Sequence, residues 1–157
     1  MIVDFDDSPR STIHDLKIGD SIAIEKTISE SDVYLFAGIC GDFSPNHINE
    51  RYMGKTRFKT RIAQGALVVG FTSAAAAMFG IKYRVDGVSA GYDRIRFVAP
   101  VLFGDTILIR YEVVRIDLER DRAYAALKVT NQRDEVVLVG EHVLRFVALE
   151  APLEAQA

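Results

Sequence analysis

Five stretches of the chain combine β-branched and aromatic residues with partial apolar–polar alternation, a pattern that predicts strands. Turn-forming residues separate them, among them Gly104-Asp105 and the run 131–134. The pattern therefore predicts an antiparallel sheet of about five or six strands. The predicted strands are 21–28, 88–98, 106–116, 123–130 and 135–148, the last with a bulge at Gly140.

Residues 66–79 are apolar nearly all round, and this segment predicts a buried helix. It is too short to span a membrane comfortably, and Gly80 is expected to stop it. A helix without a polar face has to be wrapped by other elements, and strands follow it in the sequence. The economical arrangement is an α+β fold in which a strongly curved sheet surrounds this helix.

Another helix is predicted to begin at Ser29 or Ser31, because Glu30 and Asp32 would then lie near its positive end. Gly41 can end this helix. Its apolar stripe is expected to comprise Val33, Phe36, Ala37 and Cys40.

Asp42 and His47 are five positions apart, and one helix through both would turn their side chains onto different faces. A break is predicted at Ser44-Pro45, with Ser44 as the N-cap of a short helix that runs to about Met53. His47 then lies in the first turn, where the helix dipole favours a neutral, proton-accepting imidazole. The two side chains fit a general acid–base pair, although such residues also serve as caps and turn formers.

Length and composition predict one globular domain over residues 1–150, which begins with an irregular lead-in at 1–12. Residues 151–157 are expected to form a loose tail after the domain. A net charge of −3 lacks the basic footprint of nucleic-acid-binding proteins. The single cysteine excludes an internal disulfide and fits a reducing compartment. Because the acidic start has no signal pattern, we expect a cytoplasmic protein without membrane association. The three histidines are far apart in sequence, so no metal site is expected.

Basic side chains are concentrated between residues 51 and 61, with no acidic residue among them. A solvated face is the plainer interpretation of this run. The alternative is a surface that binds the phosphates of a nucleotide-bearing substrate such as coenzyme A. The candidate phosphate contacts are Arg57, Lys59 and Arg61.

Residues 34–47 resemble the motif of the MaoC-like hydratases, the (R)-specific enoyl-CoA hydratase family, whose core is Gly-Asp-x-Asn-Pro-x-His. Ser44 stands where the family usually has Asn, and Asn46 stands where it usually has an apolar residue. The residues that match the motif are Gly41, Asp42, Pro45 and His47. Weaker similarities lie at 61–67, 97–101, 104–105 and 130–132. The resemblance implies the hotdog fold, with residues 65–79 as its central helix.

The chemistry that the resemblance implies is reversible hydration of a trans-2-enoyl thioester to a 3-hydroxyacyl thioester, the work of a hydro-lyase. Asp42 and His47 would hold one water and share the proton transfers. Gly65 opens the apolar helix, so its N–H has no partner inside the helix and can donate to the enolate oxygen. Ser73 corresponds to a serine that relatives place near the catalytic pair, and Gln64 stands where relatives often have His. No cofactor is expected beyond coenzyme A as part of the substrate.

Two other functions are compatible with the sequence, namely a hotdog thioesterase and a non-catalytic protein that binds acyl thioesters. The thioesterase gives no reason for His47, whereas Ser44 and Gln64 keep the non-catalytic function open. We also expect a homodimer or a larger even-numbered assembly. The resemblance implies it, and long strands that are apolar on both faces, such as 135–148, would expose their edges in a monomer.

Overall fold

A computed structural model describes residues 10–147, in which five strands form one antiparallel sheet in the order β1-β3-β4-β5-β2. The α+β prediction is confirmed, and the strand number is five within the described range. The predicted tail and most of the lead-in lie outside the described residues. The elements are a 3₁₀ turn (Ile13–Asp15), β1 (Ser21–Thr27), α1 (Glu30–Cys40), α2 (Pro45–Ile48), α3 (Glu50–Met53), α4 (Gly65–Tyr83), β2 (Gly87–Phe97), β3 (Thr106–Asp117), β4 (Arg122–Thr130) and β5 (Val136–Phe146).

The core lies between α4 and the inner face of the sheet. Inward and outward residues alternate along β3, so Ile107, Ile109 and Tyr111 are fully buried. They belong to one hydrophobic cluster with Phe79 and Leu67 of α4, and the Phe79 and Tyr111 rings lie 5.1 Å apart. By length and composition alone α4 could span a membrane, the one such helix among residues 10–147. Only one side of α4 packs against the sheet, where Leu67, Val68, Thr72, Ala75 and Phe79 are buried, so its outer side is apolar and exposed within one copy of the chain.

The prediction that Gly80 stops the long helix is wrong, because α4 continues to Tyr83 and ends where Arg84 adopts a left-handed conformation with φ 56°. The chain then turns back, and the Val85 N–H donates to the Gly80 carbonyl at 3.0 Å. A Cβ on residue 80 would lie 3.1 Å from the Val85 carbonyl oxygen. Glycine is therefore explained by this close approach and not by a helix end.

The predicted bulge at Gly140 is also wrong, because β4 and β5 pair without a shift at Leu127 and Gly140. The irregularity lies in the neighbouring strand β2, between Asp93 and Arg96. Ile95 packs over Gly140 and occupies the space that a side chain would need. Strand β5 lies between β4 and β2, so the free edges of the sheet belong to β1 and β2.

Helix α1 begins after Ser29, whose hydroxyl accepts from the Asp32 N–H while the Asp32 carboxylate accepts from the Ser29 N–H. Gly41 ends the helix in the left-handed conformation with φ 78°, as predicted. Val33 and Ala37 face the core, but Cys40 in the last turn is exposed, contrary to the predicted stripe.

Candidate active site

The loop between α1 and α2 brings Asp42 next to the start of α2. The Ser44 hydroxyl donates to Asp42 Oδ1 at 2.5 Å, and the Ser44 N–H donates to the same atom at 3.2 Å. Ser44 occupies the N-cap position as predicted, but its side chain accepts no hydrogen bond from the helix. The Ser44 hydroxyl donates to Asp42 instead, so this serine stabilises the Asp42 carboxylate and does not cap the helix.

The predicted single helix to Met53 is two short helices, because Asn49 leaves helical geometry with φ −118° and ψ 96°. The Asn49 side-chain oxygen accepts from the Tyr52 N–H at 2.9 Å and so caps the second turn. Helix α2 is therefore a separate single turn, and it carries His47.

His47 is buried and held from the side by the segment that precedes α4. Its Nδ1 lies 2.8 Å from the Ile62 carbonyl oxygen, and the Ile62 N–H donates to the Asn46 carbonyl at 3.1 Å. A carbonyl oxygen can only accept, so Nδ1 carries the proton and donates. In the neutral ring Nε2 then carries a lone pair, into which the Asn46 amide donates at 3.0 Å.

Asp42 and His47 converge, as predicted, with Asp42 Oδ2 3.5 Å from His47 Nε2. The pKa of the Asp42 carboxyl lies below its usual range, chiefly because the Ser44 hydroxyl and N–H donate to it and secondarily because His47 is near. The side chain of Asp42 is 40% exposed, whereas that of His47 is 8% exposed. The loop thus presents an ionised carboxylate and an imidazole nitrogen with a lone pair, side by side.

A cavity of about 400 Å³ adjoins this pair. His47, Arg57 and Phe58 line one side, the start of α4 lines another, and residues 97–101 close it. Most of the lining is apolar, with His47, Asn46 and Arg57 as its polar side chains. Such a cavity suits an acyl chain whose reactive end faces a few fixed polar groups.

Gly65 is the first residue of α4 and lines the cavity. Within residues 10–147 its N–H has no hydrogen-bond acceptor. A Cβ at this position would lie 2.6 Å from Phe97 Cζ, so the ring approaches the backbone more closely than any side chain allows. Gly65 therefore combines tight packing with a donor that is free to bind a ligand.

Gln64 is fully buried, and its amide nitrogen donates to the Val33 carbonyl at 3.2 Å. Its Oε1 has no partner among the described residues, and the side chain does not line the cavity. The Gln64 amide therefore donates to α1 and holds it against the start of α4, and it does not face a substrate oxygen.

Ser73 is not brought together with the pair. It is exposed on α4 and lines a separate cavity of about 280 Å³, which also contains Ser89 and His142. His142 is buried between two hydroxyls, with Tyr111 Oη 3.0 Å from Nδ1 and Ser89 Oγ 2.9 Å from Nε2. Burial lowers the pKa of His142 to about 4.

The three basic candidates differ in whether their charges are paired with carboxylates of the described residues. Arg61 pairs with Glu30 at 2.6 Å and with Glu50 at 2.8 Å, and Glu30 above all raises its pKa. Arg57 lines the cavity and lies over the Phe58 ring at 4.8 Å. Lys59 is exposed, and neither it nor Arg57 forms an ion pair with a described residue. Arg61 is therefore a structural ion-pair partner in the described residues.

The sequence did not predict that Asn46 donates a hydrogen bond to the imidazole of His47, or that Phe58 and Phe97 line the cavity. The signal for Asn46 was its position, one residue before the candidate histidine where the motif is usually apolar. Nothing local in the sequence indicates the two aromatic walls. Among the described residues no three His, Cys, Asp or Glu side chains are grouped as metal ligands.

Comparison with known proteins matches residues 16–136 to the model of the MaoC like domain. The chain is 41% identical over 130 residues to an (R)-specific enoyl-CoA hydratase of Rhodospirillum rubrum, covering 81% of this chain and 85% of that protein. It is 38% identical over 133 residues to a 3-hydroxybutyryl-CoA dehydratase of Methylorubrum extorquens, covering 83% and 81%. The solved structure of an R-hydratase from Pseudomonas aeruginosa superimposes with a TM-score of 0.72 at 28% identity, covering 90% of this chain and 94% of that one.

The curved five-stranded sheet around α4 is the hotdog fold that the motif implied. The family model extends from the 3₁₀ turn region to the start of β5, so it includes the Asp42–His47 loop and all of α4. The chain therefore belongs to the family of proteins with a MaoC-like domain.

Proposed function

We propose that the chain catalyses the reversible hydration of a trans-2-enoyl-CoA to a 3-hydroxyacyl-CoA, as a hydro-lyase. The observation that carries this proposal is the convergence of Asp42 and His47 at 3.5 Å beside the cavity that Gly65 lines. The enzymes to which the chain is 41% and 38% identical are named for enoyl-CoA hydration and 3-hydroxybutyryl-CoA dehydration, which supports the same reaction class.

The geometry suits a water molecule with one hydrogen directed at each of two acceptors. An ionised Asp42 would take one of those hydrogen bonds, and the Nε2 lone pair of His47 would take the other in place of the Asn46 amide, which donates to it at 3.0 Å in this structure. The water oxygen then keeps a lone pair for attack on C3 of the enoyl thioester. As the C3–O bond forms, one water proton passes to the pair, and the electrons of the C2–C3 double bond move to the thioester oxygen.

The enolate that results needs a hydrogen-bond donor at its oxygen, and the free N–H of Gly65 at the start of α4 can supply one. The enolate collapses when C2 takes the proton that the pair received, so the addition of water is balanced. No cofactor enters these steps, and coenzyme A takes part only as the thiol portion of the substrate. Asp42 and His47 titrate as one coupled pair, and the proton transfers are assigned to the pair.

Arg57 is the stronger candidate for a contact with a coenzyme A phosphate, because it lines the cavity and forms no ion pair with a described residue. Lys59 is a second candidate on the same segment. Arg61 contributes to this surface less directly, since Glu30 and Glu50 already neutralise it. Ser73 lines a separate cavity and the Gln64 amide donates to Val33, so the proposal gives neither side chain a contact with the substrate.

A homodimer or larger even-numbered assembly also forms part of the proposal. The outer side of α4 carries a stripe of small residues, and β2 offers a free sheet edge with Val88 and Phe97 more than half exposed. A second copy could cover both. The small residues of this exposed stripe are Ala66, Gly70, Ser73, Ala74 and Ala77, and the larger Ile81 follows them. The single cysteine supports a reducing, cytoplasmic location.

One assay tests the reaction against its alternatives. A short trans-2-enoyl-CoA is added, and loss of the conjugated absorbance is followed together with release of free thiol. Loss without thiol release is the expected result. Thiol release would indicate a thioesterase, and binding without either change would indicate a non-catalytic acyl-thioester protein; both outcomes would overturn the proposal.

A further inference from the structure

Arg61 joins the two elements that lie on either side of the catalytic pair. Helix α1 ends just before Asp42, and α3 follows α2, the single turn that carries His47. The Nη1 of Arg61 donates to Glu30 of α1 at 2.6 Å, and its Nε donates to Glu50 of α3 at 2.8 Å. One side chain therefore connects the helix before the catalytic loop to the helix after it.

Further contacts of Arg61 hold the same elements. Its Nη1 donates to the Tyr34 hydroxyl at 3.1 Å, and that hydroxyl lies 3.4 Å from the Ile48 carbonyl oxygen at the end of α2. Its backbone N–H donates to the Glu50 carboxylate at 3.2 Å, and its guanidinium lies over the Phe103 ring at 4.6 Å. The side chain is only 18% exposed, so these contacts fix a planar fork in one arrangement.

The residues that follow Arg61 attach this junction to the rest of the site. The Ile62 carbonyl accepts from His47 Nδ1 at 2.8 Å. The Gln64 amide donates to a backbone carbonyl of α1 at 3.2 Å. Gly65 comes next, and its N–H has no acceptor among the described residues. The link between α1 and α3 thus lies within four positions of the groups that hold the imidazole and would bind the enolate.

We propose that Arg61 is a positioning residue, which holds α1 and α3 together and so sets the separation and orientation of Asp42 and His47. It then controls kcat and not the binding of a coenzyme A phosphate, and its kinetic tests rest on the proposed hydration reaction. Without the guanidinium, Glu30 and Glu50 would repel each other and α1 and α3 would separate. A displacement of about 1 Å at the reacting groups can lower turnover about 100-fold.

The main test compares Arg61→Met, which keeps a long apolar stem without the charge, with a matched control, Arg133→Met. Arg133 also bridges two carboxylates, Asp105 at 2.9 Å and Glu135 at 3.1 Å, but these lie in the turns that precede β3 and β5. With a short trans-2-enoyl-CoA, Arg61→Met should lose about 10-fold to 100-fold in kcat, with KM within about threefold. Arg133→Met should keep kcat within about threefold.

Two further kinetic readouts separate positioning from phosphate binding. The same acyl group on N-acetylcysteamine, which has no phosphate, should show the same loss of kcat in Arg61→Met. Glu30→Gln added to Arg61→Met removes one of the two repelling charges, so it should recover at least about threefold of that loss with this substrate. An increase of KM for the coenzyme A thioester alone, with kcat unchanged, would assign Arg61 to a phosphate and overturn the inference.

The end of α1 can also be followed without substrate. Cys40 is the single cysteine of the chain and is exposed in the last turn of α1, so a nitroxide attached to it reports motion next to Asp42. Electron paramagnetic resonance should show a more mobile label in Arg61→Met than in wild type or Arg133→Met. The label should become less mobile again when Glu30→Gln is added.

The outcomes separate this inference from the proposed reaction. If wild type does not hydrate enoyl thioesters but the label becomes mobile in Arg61→Met and not in Arg133→Met, the reaction is wrong and the link between α1 and α3 stands. If wild type is an active hydratase and a folded Arg61→Met enzyme keeps its kcat, the inference is overturned. Equal kcat losses in Arg61→Met and Arg133→Met would overturn it as well, because they would reflect a general loss of stability.

Arg61→Lys tests the same inference where Arg61→Met does not fold. Lysine keeps the charge but lacks the fork that reaches two carboxylates at once. Arg61→Lys should therefore keep KM for the coenzyme A thioester and lose at least about threefold in kcat. A folded Arg61→Lys enzyme with the kcat of wild type would overturn the inference.

Discussion

Removal of the Gly65 N–H tests whether that group binds the developing enolate oxygen. Proline is the natural replacement, because the first position of a helix has an N–H without an intrahelical partner and tolerates the fixed φ of proline. Gly65 is that first residue and is not in the left-handed region. Gln64 before it has φ −62° and ψ 134°, which is the extended geometry that a following proline requires.

The cost of the substitution can be divided into two parts. Any side chain at position 65 places a Cβ 2.6 Å from Phe97 Cζ, so the ring has to move. Phe97 is 58% exposed within one copy of the chain, and whatever its displacement costs is the same for any side chain at position 65. Gly65→Ala carries the same Cβ but retains the N–H, so it is a matched control. The difference between the alanine and proline variants isolates the donor.

Loss of one donor to an oxyanion lowers turnover by about 10²–10³-fold, equivalent to about 3–4 kcal/mol of transition-state stabilisation. Gly65→Pro should therefore lose about that factor in kcat relative to Gly65→Ala, with a smaller change in KM. The assay is hydration of a short trans-2-enoyl-CoA, with circular dichroism and sedimentation to confirm that both variants fold and assemble like wild type. A folded Gly65→Pro enzyme as active as Gly65→Ala would show that the oxyanion donor lies elsewhere.

Three further predictions follow from other parts of the structure. His142 has a pKa of about 4 in the fold against an ordinary 6.5, so the unfolded chain binds its proton first as pH falls. The free energy of unfolding should therefore fall as the pH is lowered from about 6.5 to about 4, by up to about 3 kcal/mol at about 1.4 kcal/mol per pH unit. Urea titrations should show a smaller fall in His142→Gln. An equal fall in the wild type and the variant would refute the assignment. Arg57→Ala should raise KM about threefold to tenfold for a coenzyme A thioester but not for the same acyl group on N-acetylcysteamine, which has no phosphate; equal KM changes for both substrates would exclude a phosphate contact. Sedimentation at micromolar concentration should give a dimer or a larger even-numbered assembly, and a well-behaved monomer would contradict the proposed assembly.

The sequence predicts well those features that local chemistry determines. Ser29 and Gly41 bound α1 because a capping hydroxyl and a left-handed glycine act within one turn of the chain. The alternation in β3 indicates its buried face before any contact is known, and the apolar character of α4 indicates a core helix without indicating which face is buried. The juxtaposition of Asp42 and His47 also follows locally, since the break at Pro45 is only a few residues from both.

Features that depend on distant contacts were not predictable in this way. Gly80 looks like a helix stop, but its small size serves the approach of Val85 after the helix has continued. Arg61 looks like a free cation, yet Glu30 lies 31 positions away in sequence and pairs with it in the fold. In the sequence Asn46 resembles a polar loop residue, but in the fold its amide donates to His47 Nε2. The contact depends on Ile62, 15 positions from His47, whose carbonyl accepts from Nδ1 and so fixes the ring tautomer.

The central claim is that Asp42 and His47 act as one catalytic unit, and a double-mutant measurement of kcat tests it most directly. Asp42→Asn preserves shape without the charge, and His47→Gln keeps an amide that can donate to the Ile62 carbonyl. With a short trans-2-enoyl-CoA, each single variant should lose at least about 10²-fold in turnover, and the double variant should be little worse than either. A single variant with near-wild-type turnover, or a double variant whose loss equals the product of the two single losses, would contradict the account.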